Sequence, residues 1–315
     1  MEKGLIILTF SLLAICTGCS FGFELPPCPY NMRLEYWYAG SSSENVLPVY
    51  VNNLTQYFFD GEGKLVAAET LRGDSVKGYD ADLPPGDYTV VVWGNTDNGG
   101  GSYVDAPTEG ENRLSELTLS AVTAGVPPGY RDNTGRLYYG TSSFSVEEGK
   151  VHRERIYLSH AHAALSVTVV WKSDASPPPA GGVYRMRMRN IPAIYGFVKG
   201  WEAEIPSGDG MYSIPWIENT LTNHETRASM NYDEEVVGQF ITYRYTSHTH
   251  QMWSLWRDGI RIIKELDLHK FFSTLPMSMD ENFEQEFDIL VTVYKDKITV
   301  SLASASDWNE GGVIG

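Results

Sequence analysis

Cysteine, basic charge and long apolar runs are all scarce in this chain, and each scarcity excludes a class of protein. Only three Cys occur among 315 residues, and all precede residue 29, so a disulfide framework cannot hold the chain together. The formal net charge of −16 argues against nucleic acid as a partner, because phosphate groups attract basic surfaces. No apolar run after residue 18 approaches the roughly 20 residues that span a bilayer. Stability must therefore come from a buried core, which a chain of this length can supply.

Sequence motifs of catalysis are missing as well. The chain has no His-Glu-x-x-His, no Gly-x-Ser-x-Gly and no glycine-rich phosphate loop that ends in Lys-Ser or Lys-Thr. We therefore expect no enzyme activity, no catalytic residue and no cofactor.

Two His-x-His pairs have a spacing that could serve a metal. His160/His162 and His248/His250 would each place two imidazoles on the same side of a strand. A metal site would also need the two pairs to meet, or a carboxylate or thiol close by. Otherwise the pairs are surface or linker histidines. We therefore assign no metal ligand from the sequence and leave the role of both pairs open.

The N-terminus has the pattern of a lipoprotein signal peptide. Residues 4–15 form an apolar run behind a short charged start, and this run is too short to span a bilayer. Cys19 follows the small pair Thr17 and Gly18, as in a bacterial lipobox, so its thiol is the predicted lipid acceptor. Several acyl chains on a mature N-terminus at Cys19 would hold the protein firmly to a membrane. The alternative is an ordinary signal peptide, in which Cys19 carries no lipid.

Behind a proline-rich tether, most of the chain shows the pattern of β-strands. Apolar and polar side chains alternate over residues 32–38, which predicts a first strand. Residues 49–59 lead into a glycine turn and predict the first arm of a hairpin. Residues 88–93 predict a buried strand, and residues 298–302 a late one. Helical windows are few, and residues 269–273 predict a short helical turn.

The spacing of these strands predicts a mostly-β chain of two sandwiches. About seven strands precede residue 159, and a second set follows it. We divide the sequence into a signal peptide, a lipidated tether, an N-terminal β-sandwich and a C-terminal β-sandwich, at residues 1–18, 19–30, 31–159 and 160–315.

Two further patterns could bind a ligand but also have structural explanations. Residues 184–189 alternate large apolar side chains with Arg. That alternation predicts a half-buried strand with three Arg on its solvent face, or an anion or acidic-glycan site. Trp253 and Trp256 could stack on sugars or on a protein partner, or they could fill the core.

Four segments together resemble the fimbrial anchor subunits of Bacteroidetes, the Mfa2/FimB family. They are the lipobox-like Cys19, the proline-rich leader at residues 24–29, the Leu-Pro-Pro-Gly-Asp-Tyr turn and strand within residues 82–94, and the terminal strand at residues 298–300 with Trp308 behind it. The resemblance covers nearly the whole chain in order and length.

This resemblance implies two tandem transthyretin-like β-sandwich domains in an outer-membrane lipoprotein that holds the base of a fimbria and limits its length. The partners would be fimbrial shaft subunits, which assemble when an extended segment completes a neighbour's sheet. An anchor would keep its own first strand, residues 32–38, because losing that strand would cut the lipid tether. It could then offer residues 298–315 to the first shaft subunit. The expected location is the cell surface, at the fimbrial base.

Two other functions are consistent with the same sequence. A surface carbohydrate-binding lipoprotein of a glycan-uptake system would share the signal peptide, the sandwiches and exposed Trp side chains. A tip or accessory fimbrial subunit would share the family but not the basal position.

Overall fold

The computed structural model describes most of the chain from residue 29 onward and shows a molecule built mainly of β-strands. Within the described residues, no helix has the length and apolarity needed to cross a bilayer. Cys19 and the predicted signal peptide lie outside the described part. The described residues are 29–40, 42–96, 101–124, 129–130, 133–176, 182–198, 203–204, 216–221, 235–282, 284–303 and 312–313.

Short helices interrupt a long succession of strands. The described helices are α1 (Leu47–Tyr50), α2 (Leu268–Phe272) and a 3-10 helix at Gly73–Lys77. The described strands are β1 (Met32–Trp37), β2 (Asn53–Asp60), β3 (Leu65–Arg72), β4 (Gly78–Ala81), β5 (Gly86–Gly94), β6 (Ser102–Val104), β7 (Thr118–Ala121), β8 (Thr123–Ala124), β9 (Gly129–Tyr130), β10 (Tyr138–Val146), β11 (His152–Tyr157), β12 (Ser159–His160), β13 (Ala163–Trp171), β14 (Tyr184–Arg189), β15 (Ile194–Gly196), β16 (Ala203–Glu204), β17 (Trp216–Leu221), β18 (Glu235–Thr242), β19 (Met252–Arg257), β20 (Ile260–Asp267), β21 (Gln285–Val293), β22 (Ile298–Leu302) and β23 (Gly312–Val313).

Two sheets share a core in the N-terminal half. A three-stranded sheet has the order β11-β1-β4, and a five-stranded sheet has the order β12-β10-β5-β2-β3. Leu34 and Tyr36 of β1 lie in one hydrophobic cluster with Val90 of β5. Gly140 of β10 allows close packing here, because a Cβ at that position would lie 2.9 Å from the side chain of Ile156 on β11.

The central strand β5 is buried on both of its faces. Val90 and Val92 belong to the cluster that contains β1, whereas Val91 and Trp93 belong to a second cluster. Burial on both faces removes the usual alternation of apolar and polar side chains. This arrangement explains the unbroken apolar run that predicted a buried strand at residues 88–93.

A second pair of sheets forms the C-terminal half. Their orders are β18-β13-β21-β22-β23 and β17-β14-β19-β20. β13 runs antiparallel to β18 and parallel to β21. Val167 of β13, Met186 of β14 and Trp253 of β19 all lie in the second hydrophobic cluster, which therefore forms the core of this half.

That second cluster also crosses the predicted domain boundary. β15, from the second half, pairs with β7, from the first half, and places Tyr195 opposite Leu119. The ring centres of Trp93 and Tyr195 lie 5.5 Å apart. The division of the chain at residue 159 stays a prediction, and the structure adds that apolar packing is continuous across it.

The mostly-β fold predicted from the sequence is confirmed, although the predicted bounds of several strands differ from those in the structure. The first strand, predicted at residues 32–38, corresponds to β1, and the predicted helical turn corresponds to α2. The strand predicted to begin at residue 49 is wrong at its start, because α1 occupies that position and β2 begins at Asn53. Pro48 explains the difference, since it lies in the first turn of α1, where its fixed φ suits a helix and its missing N–H costs nothing.

Candidate functional site

β1 is the central strand of its sheet and is paired along both edges. It runs parallel to β11 from Met32 to Trp37 and antiparallel to β4 from Met32 to Glu35. Backbone hydrogen bonds continue at both ends, from His152 N to Asn31 O at 2.8 Å and from Leu158 N to Trp37 O at 2.8 Å. The chain itself therefore satisfies the backbone groups of its first strand.

The inner face of β1 fills a groove between β4 and β11. Met32, Leu34 and Tyr36 are all fully buried. The Tyr36 hydroxyl donates a hydrogen bond to the side-chain carbonyl of Gln56 in the facing sheet. Burial raises the pKa of Tyr36 well above its usual value, so the hydroxyl keeps its proton. Each buried side chain of this size contributes roughly 1.5–3 kcal/mol, so the three together stabilise the fold by about 5–9 kcal/mol.

The outer face of β1 carries weaker, exposed contacts. Arg155 of β11 donates to Glu35 at 3.1 Å, and its guanidinium lies 4.6 Å from the ring centre of Trp37. On the other side, Arg33 lies 3.8 Å from Asp80 of β4. Exposed ion pairs of this kind contribute about 0–1 kcal/mol each. The buried face, rather than these ion pairs, therefore holds β1 in its groove.

The C-terminal end of the chain is paired in a different way. β22 pairs antiparallel with β21 from Ile298 to Leu302, and Val300 is fully buried. On its other edge β22 pairs with the two residues of β23, with Thr299 opposite Val313. The predicted donor segment, residues 298–315, therefore begins with a strand that belongs to this chain's own sheet. Trp308 lies outside the described residues.

A group of polar side chains lies just beyond the end of β1, where the two halves meet. The Tyr38 hydroxyl is 2.6 Å from Nε2 of His160. The rings of His160 and His162 stack with their centres 4.5 Å apart, and His162 Nδ1 donates to the carbonyl of Leu137 at 2.8 Å. The two imidazoles therefore lie side by side, although His162 follows the end of β12 and is not part of a strand.

Glu286 of β21 supplies a carboxylate beside this histidine pair. Its Oε1 lies 3.9 Å from His160 Nδ1 and 3.8 Å from His162 Nε2, and it accepts a hydrogen bond from Arg136. The neighbouring His162 and Arg136 lower the pKa of Glu286 to about 2, against the opposing effect of burial. Arg136 makes the direct contact, because 3.8 Å is too long for a hydrogen bond. Burial and then His162 lower the pKa of His160 to about 3, so this imidazole is neutral near pH 7.

An open cavity of about 410 Å³ borders this cluster. It gives solvent a route to the carboxylate and to the edge of one imidazole. A water molecule, a cation or a small polar ligand could therefore reach the cluster. The lining includes Tyr38, Tyr50, Arg136, His160, Glu284 and Glu286.

The structure places the other candidate residues apart from this cluster. His248 and His250 are exposed, and His250 Nδ1 lies 3.1 Å from Asp267 Oδ2. Trp253 is fully buried, so the core-filling explanation is correct for it. Trp256 is half-buried, with the guanidinium of Arg187 5.0 Å from its ring centre.

Sequence reasoning missed Glu286 and Tyr38 as neighbours of the histidine pair. Glu286 lies opposite Ala164 because β21 runs parallel to β13. Tyr38 reaches His160 across 122 positions of sequence. Local spacing carries no signal for pairing between such distant segments, and the alternation of residues 285–293 identifies a strand without naming its neighbour.

Comparison with known proteins assigns the chain to a class. Residues 25–301 match the family model described as "Fimbrillin-A associated anchor proteins Mfa1 and Mfa2". That match spans most of the chain, so this protein belongs to that family of fimbrial anchor proteins. The resemblance found in the sequence is confirmed. No protein with a curated description matches the chain at a significant level.

Solved structures show the same fold at low sequence identity. The fimbrial anchor protein Mfa2 from Porphyromonas gingivalis is 16% identical, with a TM-score of 0.64 and coverage of 91% of this chain and 99% of that one. A candidate adhesin from Bacteroides ovatus is 12% identical, with a TM-score of 0.69 and coverage of 90% and 95%. A candidate polysaccharide-binding protein from Bacteroides thetaiotaomicron is 13% identical, with a TM-score of 0.67 and coverage of 90% and 98%.

Proposed function

We propose that this protein is an outer-membrane lipoprotein that anchors a fimbria, limits its length and binds shaft subunits through β-strand complementation. Membership of the fimbrial anchor family supports a cell-surface location and a partner that is another fimbrial protein. The shared fold with the Porphyromonas gingivalis anchor protein agrees with a place at the fimbrial base. In this role the protein binds and holds, and it catalyses no reaction.

The observation that carries the proposal is the position of β1. An anchor must keep the strand that follows its lipid tether, and here that strand is the paired and buried centre of its own sheet. A subunit with this groove filled has no room there for a neighbour's strand. Such a subunit can therefore end a fimbrial polymer, but it cannot accept a neighbour's strand in this groove as a subunit in the middle of the polymer would.

The C-terminal segment is the part that we propose for the shaft subunit. Because β22 pairs along its whole length with β21, we assign residues 304–315 to the segment offered to the neighbour, and only the two residues of β23 in that segment pair with this chain's own sheet. The lipid on Cys19 supplies the other attachment, since acyl chains give firm anchoring without a membrane-spanning helix.

The proposal is tested in fimbriated cells whose own copy of this chain is replaced by two variants. Cys19→Ala should release fimbriae that still carry this protein. Deletion of residues 304–315 should leave the lipoprotein in the membrane and release fimbriae without it. Electron microscopy of cells and medium, with antibody against this chain, measures where the fimbriae and the protein are found. A change in fimbrial length in either variant supports the length-limiting role.

Substitution of Tyr157, an exposed residue at the end of β11, by Ser provides a control for handling of the cells. Fimbriae that stay attached in both variants, at unchanged length, would refute the anchor role. Fimbriae that stay attached in the deletion variant alone would refute the C-terminal donor and leave the lipid tether standing.

Carbohydrate binding is the second candidate function, and it rests on Trp256. A half-buried indole on an outer sheet face could stack on a sugar, and the Bacteroides thetaiotaomicron relative is described as a candidate polysaccharide-binding protein. The guanidinium groups of Arg187 and Arg261 lie 5.0 and 5.8 Å from the indole ring centre, however. A neutral sugar would have to displace one of these cations from the ring, so the anchor role is better supported.

A further inference from the structure

The three side chains His160, His162 and Glu286 converge on one point. One ligand atom from each, an imidazole nitrogen or a carboxylate oxygen, lies within 4.8 Å of the other two. The two distances to Glu286 Oε1 are 3.8 and 3.9 Å. In a tetrahedral zinc site with bonds of about 2.1 Å, ligand atoms lie about 3.4 Å apart. The two distances to the Glu286 oxygen exceed this spacing by only about half an ångström.

Both imidazoles turn an unused nitrogen towards that point. His162 is fully buried, and its Nδ1 proton is committed to the Leu137 carbonyl, so Nε2 presents a lone pair. His160 is 5% exposed, and Tyr38 occupies its Nε2, which leaves Nδ1 without a partner. Nε2 of His162 also lacks a hydrogen-bond partner. Buried nitrogen atoms without partners are costly, and here both face a carboxylate that can only accept.

The remaining contacts match those of known metal-binding histidines. Such a histidine usually gives its other ring nitrogen to a carbonyl, carboxylate or similar group, which fixes the tautomer and the ring orientation. The carbonyl of Leu137 is this partner for His162, and the hydroxyl of Tyr38 is this partner for His160. The neighbouring cavity gives an ion a route in and leaves a coordination position for water.

We infer that His160 Nδ1, His162 Nε2 and Glu286 Oε1 form a binding site for one divalent transition-metal ion of the zinc class. Two imidazoles and one carboxylate are a donor set that zinc accepts, with water as the fourth ligand. Arg136 now donates to Oε1 of Glu286, and its second amino group lies 3.5 Å from Oε2. When the ion takes Oε1, the guanidinium keeps its ion pair through Oε2. The ion ties the end of β12 and the residue before β13 to the start of β21, beside Tyr38, the residue that follows β1.

The test uses the mature full chain, purified from membranes in detergent, stripped with a chelator and titrated with ZnCl₂. The expected result is one tightly bound Zn²⁺ per chain, with a rise in the thermal unfolding midpoint. His162→Gln and Glu286→Gln should each weaken binding at least ~100-fold, and Tyr38→Phe about tenfold, as outer-shell partners typically do. His250→Gln combined with His269→Gln is the matched control, because these two imidazoles, one exposed and one half-buried, also lie close together, with ring centres 4.4 Å apart, without belonging to the cluster.

A second measurement guards against variants that fold poorly. Co²⁺ added to the stripped wild-type chain should give the visible absorption of a tetrahedral site, and Zn²⁺ should bleach it. Circular dichroism checks that each variant keeps its strand content. The inference is overturned if the wild-type chain binds neither ion. It is also overturned if folded Glu286→Gln and His162→Gln bind Zn²⁺ as tightly as wild type, or if only the His250/His269 control loses the ion.

Discussion

β1 and β22 lie near opposite ends of the chain and differ in how completely the chain itself pairs them. β1 has a partner on each edge and a fully buried inner face. β22 has a full partner on one edge but only the two residues of β23 on the other. Extended segments join a sheet where a groove or an edge is free. The groove of β1 is therefore closed to a neighbour, whereas the C-terminal end leaves part of a sheet edge uncovered within the described residues.

Removing β1 should have the largest effect of any change at these two strands. A chain that starts after residue 38 loses four buried side chains, including Tyr38, and both ladders of its sheet, so the free energy of unfolding should fall by about 5 kcal/mol or more. A synthetic peptide of residues 30–39 should restore the loss when urea unfolding is measured at rising peptide concentration.

The same peptide carrying Leu34→Asp and Tyr36→Asp is the control and should restore nothing, because it cannot fill the groove. A shortened chain as stable as the full one would show that β1 does not fill a structural groove. It would also contradict the proposed difference between β1 and β22.

Leu34→Ala should have the next largest effect, because it removes one side chain from the middle of the groove. Leu34 is fully buried, and truncation of such a leucine costs about 2–5 kcal/mol. The neighbouring substitution Arg33→Ala, on the exposed face, should cost less than about 1 kcal/mol. Both values come from urea unfolding. Equal losses from the two substitutions would mean that the outer ion pairs, and not the buried face, hold β1.

Val300→Ala tests whether β22 belongs to the fold rather than to the donor segment. Val300 is fully buried opposite Val291, so its truncation should lower the free energy of unfolding by about 1–3 kcal/mol. Ser301→Ala, which alters a half-buried polar neighbour, should have little effect in the same denaturation experiment. If Val300→Ala leaves stability unchanged but releases fimbriae, β22 itself would be part of the segment given to the shaft.

The positions of both strands of this comparison could be predicted from the sequence. Alternation alone locates the first strand at residues 32–38, and β22 was predicted with the bounds that the structure shows. The partners of these strands could not be predicted in the same way. β1 runs parallel to β11, whose residues lie 120 positions further along, and no local pattern marks such a pair.

The histidine cluster shows the same limit at the level of a site. The His-x-His spacing identified two side chains that could share a face, and a metal site would also have needed the other histidine pair, a carboxylate or a thiol close by. The identity of the carboxylate beside the histidine pair depends on the parallel register of β13 and β21, which places Glu286 opposite Ala164. Register across a long connection is a tertiary property, so Glu286 was not distinguishable from the chain's many other acidic residues.

Deletion of residues 304–315 should have the smallest effect on stability and the sharpest effect on attachment. It removes β23, which contributes two residue pairs to the edge of β22, so the free energy of unfolding should change by less than about 1 kcal/mol. Urea unfolding of the purified variant measures this change, and the count of fimbriae per cell measures attachment. A variant that keeps its stability but loses its fimbriae would show that residues 304–315 serve attachment to the partner and contribute little to the stability of the fold. A large loss of stability would instead show that the C-terminal end is as much a part of the fold as β1. The difference between the two ends of the chain would then no longer explain why the C-terminal segment, and not β1, binds the shaft subunit.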